Sequence, residues 1–249
     1  MSVIRLLRRT LRSGRNAVDR WMSGGPFADR WQRLKWLLKY RLGLQRHVPD
    51  LATLATRPHR PILMEAIDGL GRVDDVLEVG CGRGVNLLLL ARRHPGVRLA
   101  GIDVSAHAIA RALRELRDAG VDAQLRVGGA EDMGAYGDDS MDVVIADAVT
   151  MYLSPETIAL ALGEMARTAR LGVVISAWHA DLPGAMDPWL YDEGTWVYDY
   201  ARLLGAVPGM AVEVRRYPQG TWQDRRWNQY GCIVIGRRAP LPAGPGQAT

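Results

Sequence analysis

An α/β fold, a mostly parallel sheet doubly wound with helices on both faces, is predicted by three features of this 249-residue sequence. Strand-like and helix-like runs alternate from about residue 61 onward. A glycine-rich turn, Gly80-Cys81-Gly82-Arg83-Gly84, separates the first strand from its helix. Acidic residues, Glu78 and Asp103, mark the ends of the first two strands. Alternating βα units bury parallel strands between helices. The chain is long enough for one such domain with additions.

The elements follow from pattern and punctuation. A helix is expected over about 61–70, with Pro61 suited to its first turn. Residues 75–78 read as a strand and 85–93 as a helix. Residues 98–103 are a strand and 106–119 a helix. Strands at 123–127 and 141–146 precede a helix at 155–169 and a buried strand at 172–177. After an aromatic-rich insertion, 178–200, a helix is expected over about 195–204. Strands at 211–216 and 230–237 close the domain, joined as a hairpin-like antiparallel end. The tail from residue 239 is rich in proline and glycine and is expected to be disordered.

Residues 1–60 form a separate extension before a domain spanning 61–238. Ile4, Leu7 and Leu11 share one helical face among arginines, and Trp31, Leu34, Leu38 and Leu42 recur at helical spacing. Of 32 basic and 27 acidic residues, the first 46 positions hold 12 and 2, leaving 20 and 25 for the rest. The net charge of +5 therefore comes from a basic N-terminus on a mildly acidic body. That extension reads as a lid helix over the domain or as an amphipathic helix on an anionic membrane surface. Nucleic acid ranks last, because stacking aromatics are not interleaved with its arginines. Lysine occurs only at Lys35 and Lys39, which with abundant Ala and Gly reads as the codon bias of a GC-rich bacterium.

Two cysteines, Cys81 and Cys232, suggest neither a disulfide framework nor a zinc site. No apolar run approaches the roughly 20 residues of a membrane span, and arginines interrupt the N-terminal apolar runs. The expected location is the cytoplasm.

Spacing narrows what the glycine turn serves. In a strand–turn–helix setting, glycines adopt positive φ or let backbone approach a ligand, and the helix N-terminus offers free N–H groups. The dinucleotide pattern G-x-G-x-x-G would want a glycine where Val85 stands, and a P-loop would need G-K-[ST]. Asp103 ends the second strand nineteen residues after Gly84 and can accept both ribose hydroxyls. A nucleoside without a 2′-phosphate is the expected ligand.

EVGCGRG followed by GIDVS resembles the class I S-adenosylmethionine-dependent methyltransferases. AEDM, DDSMDVVIADAV and EMARTARLGVVIS continue the likeness in order, over about residues 61–178. The resemblance implies a Rossmann-like seven-stranded sheet with a reversed last strand, and S-adenosyl-L-methionine as cofactor. By position, Glu78, Gly80, Gly82 and Gly84, with Cys81 inside the turn, would surround the methionine part. Asp103 would hold the ribose, Val104 would lie against the adenine, and Ala130 and Glu131 would meet its edge. Asp147 would lie near the methionine end. Gly129 departs from the aspartate many members have there, so Glu131, Asp132 or backbone remain as partners of the adenine amino group.

The acceptor is less legible. His179 follows the fifth strand at the edge where open α/β sheets bind ligands, and can titrate near neutral pH. Tyr152 takes the place where many members have histidine, and should line the acceptor pocket. These two are the catalytic candidates. His107 reads as a surface residue and His94 as a helix-end residue; His47 and His59 precede the core and are not ranked. Asp147 and Asp181 lack a third ligand, so no metal is expected. Trp178, Trp189, Tyr191, Trp196, Tyr198 and Tyr200 either cap the acceptor site or pack that cap onto the body. The expected activity is methyl transfer to a small-molecule acceptor of natural-product or sugar type, with O-methylation favoured. A lipid-linked glycan at the membrane is the rival acceptor, and a partner-binding module without turnover the rival class. A homo-oligomer is compatible with the sequence, which names no residue for it.

Overall fold

The fold is that of a computed structural model, which describes residues 49–181, 189–191 (backbone) and 195–239, together with Leu34. The expected N-terminal helices apart from Leu34, residues 182–188 and 192–194 of the 178–200 insertion, and all but the first residue of the expected tail from 239 lie outside the described residues.

The first strand, β1 (Asp75–Val79), is DVLEV and is buried at every position. It feeds the glycine turn and α3 (Val85–Arg93), preceded by α1 (Leu51–Ala55) and α2 (His59–Asp68). Then come β2 (Arg98–Asp103), α4 (Ala106–Asp118), β3 (Gln124–Val127) and β4 (Met141–Asp147). Next are a 3₁₀ turn (Thr150–Tyr152), α5 (Pro155–Thr168), β5 (Ala169–Trp178), β6 (Trp189–Tyr191) and β7 (Thr195–Val197). The chain ends with α6 (Tyr200–Gly205), β8 (Met210–Arg216), α7 (Arg225–Tyr230) and β9 (Gly231–Arg238).

Seven strands form one sheet in the order β3-β2-β1-β4-β5-β9-β8, and β6 pairs with β7 separately. β1 through β5 pair in parallel, whereas β9 runs antiparallel to both β5 and β8. The last strand is therefore the reversed one, as the resemblance implied. The middles of the central strands are apolar and buried because helices cover both faces, and two buried clusters fill the two sides of the sheet. Asp142, starting β4, accepts the backbone N–H groups of Asp74 and Asp75 at 2.7 and 2.9 Å, which sets β1 against β4.

Two expectations needed correction. The helix expected over about 195–204 begins only at Tyr200; Thr195, Trp196 and Val197 are strand. β-branched and aromatic residues suit a pleated surface, and here they pair with Trp189–Tyr191. The antiparallel pairing of β8 with β9 holds, but their link is not a short hairpin. It carries α7, which rests on Gly231: a Cβ there would meet the Trp227 carbonyl at 2.3 Å.

Both thiols are buried in this core, and burial pushes Cys232 up to about 12 and Cys81 well above the ordinary thiol range. The thiolate is the reactive form. Neither cysteine is expected to react with a disulfide reagent in the native protein, and both should react once urea unfolds it.

Candidate active site

The site grows from the glycine turn at the C-terminal edge of the sheet. Gly80, Gly82 and Gly84 all have positive φ, at 71°, 51° and 76°, a region L side chains enter at a cost. The N–H groups of Gly80 and Cys81 both bond the Ile102 carbonyl, at 2.7 and 3.0 Å, clamping the turn to β2. Arg83 fixes its other side. Its guanidinium holds both Glu115 oxygens, at 2.8 and 2.5 Å, and the Pro49 carbonyl at 2.7 Å.

Asp103 closes the turn from below. One carboxylate oxygen accepts the Gly82 N–H and the other the Ser105 N–H, each at 2.9 Å. Ser105, not Asp103, caps α4, its hydroxyl accepting from the Ala108 N–H. Asp103 is thus not spent on capping. Each oxygen keeps an acceptor position beyond its one backbone bond. Burial raises its pKa against those two hydrogen bonds. Val104 is half-buried beside it, Ala130 is buried and Glu131 half-buried after β3. The Gly128 N–H bonds the Asp103 carbonyl at 3.0 Å, so the β2 and β3 exits form one rim.

Across the turn lies a buried polar cluster that sequence reasoning found only in part. The Asn86 amide donates to Glu78 Oε1 at 2.7 Å and to Asp147 Oδ2 at 3.2 Å, joining the ends of β1 and β4. Arg60 reaches the Asn86 oxygen, Asp147 at 3.3 Å and the Leu54 carbonyl at 2.9 Å. His59 Nε2 stands 3.3 Å from Asp147 Oδ2. The backbone just past Asp147 is strained: Ala148, a non-glycine, sits at φ 58°, as at many functional sites.

Environment splits the two carboxylates. Burial pushes Glu78 up to about 8, the Asn86 hydrogen bond only partly opposing it. Asp147 is equally buried, yet the His59 hydrogen bond and the charges of His59 and Arg60 hold it well below the usual carboxylate range. Glu78 Oε2, Asp147 Oδ1 and His59 Nδ1 are buried and meet no hydrogen-bond partner among the described residues.

His59 also belongs to an aromatic stack. Its ring lies on Trp222 at 4.1 Å, and Trp222 on Trp227 at 4.2 Å, both pairs 18° from parallel. Tyr217 meets His59, Trp222 and Trp227 edge-on, and its hydroxyl donates to Ser176 at 2.8 Å. Tyr217, Trp222 and Trp227 sit in the β8–β9 link, where no site residue was expected. Their signal was composition alone, two tryptophans and a tyrosine within eleven residues.

The two catalytic candidates lie elsewhere on this edge. Tyr152 is half-buried in the 3₁₀ turn after β4. His179 is buried at the end of β5, and its Nδ1 accepts the Tyr200 N–H at 3.1 Å. Its Nε2 stands 3.4 Å from Asp181, and burial lowers its pKa. Of the insertion aromatics, Tyr198 and Tyr200 are fully buried. They bond the Leu153 carbonyl and Thr150, each at 2.8 Å, so they pack the segment onto the body. Among the described residues no group of three or more His, Cys, Asp or Glu is placed to hold a metal.

Residues 76–172 match the family model described as a methyltransferase domain. Over that stretch the chain matches a methyltransferase domain, and its sheet has the order of the class I methyltransferase fold. Solved structures share the fold at low identity. Magnesium protoporphyrin IX methyltransferase (ChlM) from Synechocystis PCC 6803, with bound SAH, aligns at TM-score 0.59 and 15% identity, over 84% of this chain and 100% of that one. Geranyl diphosphate C-methyltransferase from Streptomyces coelicolor A3(2), solved with Mg2+, geranyl diphosphate and S-adenosyl-L-homocysteine, aligns at 0.54 and 14%, over 72% and 79%. The [4+2]-cyclase SpnF aligns at 0.56 and 19%, over 74% and 81%.

The sequence resemblance implies S-adenosylmethionine as cofactor, and the residues present fit it. Its α-ammonium needs acceptors where buried acceptors stand without donors, and its ribose needs a carboxylate with acceptor positions left over. A Cβ at Gly80 or Gly84 would run into Val149 or Leu116, so these glycines let the turn pack closely on the body and hold its shape.

Glu78 gives this fit a pH signature. Its folded pKa lies above the ordinary value of 4.5, so the free protein should lose stability as pH rises from about 4.5 to 8. An ammonium beside it would favour the carboxylate. Below about pH 8, binding of S-adenosylhomocysteine, which keeps that ammonium, is expected to release a proton. Calorimetry in buffers of different ionisation enthalpy reads it, and Glu78→Gln should abolish the release.

Proposed function

We propose that this protein transfers the methyl group of S-adenosylmethionine to a hydroxyl of a small acceptor of natural-product or sugar type. The observation that carries the reading is the cluster at the ends of β1 and β4. Buried acceptors on Glu78 and Asp147 share one hydrogen-bond network through Asn86, next in sequence to the glycine turn and beside an aromatic wall. Such a wall suits a flat or partly apolar molecule.

In this reading Glu78 and the turn hold the methionine end, Asp103 holds the ribose, and Val104, Ala130 and Glu131 flank the adenine. Arg60 offers its buried guanidinium to the methionine carboxylate. Asp147 fixes His59 and Asn86, while Tyr152 and His179 border the acceptor side. When bound, the cofactor supplies an electrophilic methyl group; the protein's task is to align the acceptor with it and exclude water. Incubation with methyl-labelled S-adenosylmethionine and a panel of phenols, hydroxylated polyketides and sugars tests this. A product gaining one labelled methyl on oxygen supports it; transfer only to carbon or nitrogen overturns the O-methylation part.

The basic N-terminus favours a second reading, in which the acceptor is a glycan linked to an anionic lipid. Among the described residues no helix is long and apolar enough to cross a membrane. Co-sedimentation with anionic liposomes of the full chain, against one starting at Ala28, separates the two.

A further inference from the structure

The geometry points to His59 as the general base for the acceptor's hydroxyl, with Asp147 as the residue that orients it. This rests on the O-methylation reading above.

His59 is the first residue of α2 and is 2% exposed. Asp147 can only accept, so at 3.3 Å it is His59 Nε2 that donates to its Oδ2. In the neutral ring that bond leaves the lone pair on Nδ1. Nδ1 is the nitrogen that is buried and meets no partner among the described residues. A buried polar atom without a partner calls for a ligand or water. The ring cannot swing freely, because Trp222 lies flat on it and Tyr217 meets it edge-on. A base held by a third group, with its reactive atom free of any hydrogen bond among the described residues, is the arrangement that activates a hydroxyl.

Position supports the same role. Asp147 is joined through Asn86 to Glu78, beside the glycine turn, so His59 stands two side chains from the methionine end of the site. His179 is built differently: its Nδ1 lone pair already accepts the Tyr200 N–H, so its neutral ring has only a donor left. The groups facing His59 are Asp147 from β4, Arg60 from α2, Tyr217 from the β8–β9 link and, through Asn86, Glu78 from β1.

In the step, the acceptor's hydroxyl proton passes to His59 Nδ1 as its oxygen bonds the methyl carbon. The carbon–sulfur bond breaks and its electron pair stays on the donor's sulfur. The imidazolium, stabilised by Asp147, then yields its proton to water.

The test uses caffeic acid and thiophenol as probes at pH 8, where the thiol is largely ionised and needs no base. His59→Ala and His59→Gln should lower kcat on caffeic acid about 100-fold or more. Both should keep thiophenol turnover within about threefold, and S-adenosylhomocysteine affinity likewise. Imidazole nitrogen NMR of the wild type should show Nε2 protonated and Nδ1 bare, a preference that Asp147→Asn weakens. A protonated Nδ1 in the neutral ring, or equal loss on both probes, overturns the assignment. S-adenosylhomocysteine binding without methylation of any hydroxyl probe would count against O-methylation and take the assignment with it. Absence of that binding in folded wild type would count against the cofactor reading instead.

Discussion

Gly80→Ala is expected to destabilise the protein by about 2–5 kcal/mol and to abolish measurable cofactor binding. Two effects combine. The residue sits at φ 71°, where a side chain costs roughly 1–2 kcal/mol. Its new Cβ would also lie 2.3 Å from a methyl of Val149. Overpacking of this kind costs about 1–3 kcal/mol. Val149 is not free to yield, because it follows the strained Ala148 and its carbonyl accepts the Tyr152 N–H at 2.9 Å. Urea unfolding reads the total. Adding Val149→Ala should relieve the contact and leave the backbone strain, so the double variant should recover roughly half. Full-affinity binding of S-adenosylhomocysteine by Gly80→Ala would show that the turn does not form the cofactor cradle.

Asp147→Ala should cost about 3–5 kcal/mol, the range for removing one partner of a buried ion pair. It would leave Arg60 without its carboxylate and His59 without its orienting acceptor. The pH dependence has a defined sign. The folded pKa is depressed, so the contribution is fully present above the ordinary carboxylate value of 3.8 and is lost as pH falls toward the folded value. Wild type and variant should therefore converge in stability in acid and differ most at neutral pH. A constant difference across that range would mean that Asp147 acts by packing and not by charge.

The part of the molecule that was legible in the sequence is the part governed by local pattern. β1, the glycine turn and α3 announce themselves through an apolar run, three glycines and a resumed apolar run. Asp103 was found by its distance along the chain, because β2 must end beside the turn that β1 feeds. His59 and Arg60 were not legible. Their partners lie 88 and 87 positions away, and nothing about a His-Arg pair before a proline says that β4 will end against it. Tyr217, Trp222 and Trp227 were hidden for the same reason. They come together only because α7 folds back over Gly231, and that fold-back is a tertiary contact. The strand at Thr195–Val197 was misread as helix because three residues carry too short a pattern to outweigh the helix that follows them.

The central claim is that the glycine turn, Glu78 and Asp103 form an S-adenosylmethionine site. It is tested most directly by calorimetric titration of S-adenosylhomocysteine into wild type and Asp103→Ala, with thermal unfolding to show that both are folded. The account predicts micromolar binding by wild type, weakened about tenfold or more in the variant, which is about 1.4 kcal/mol or above. Folded wild-type protein that does not bind, or a variant that binds as tightly as wild type, would contradict it.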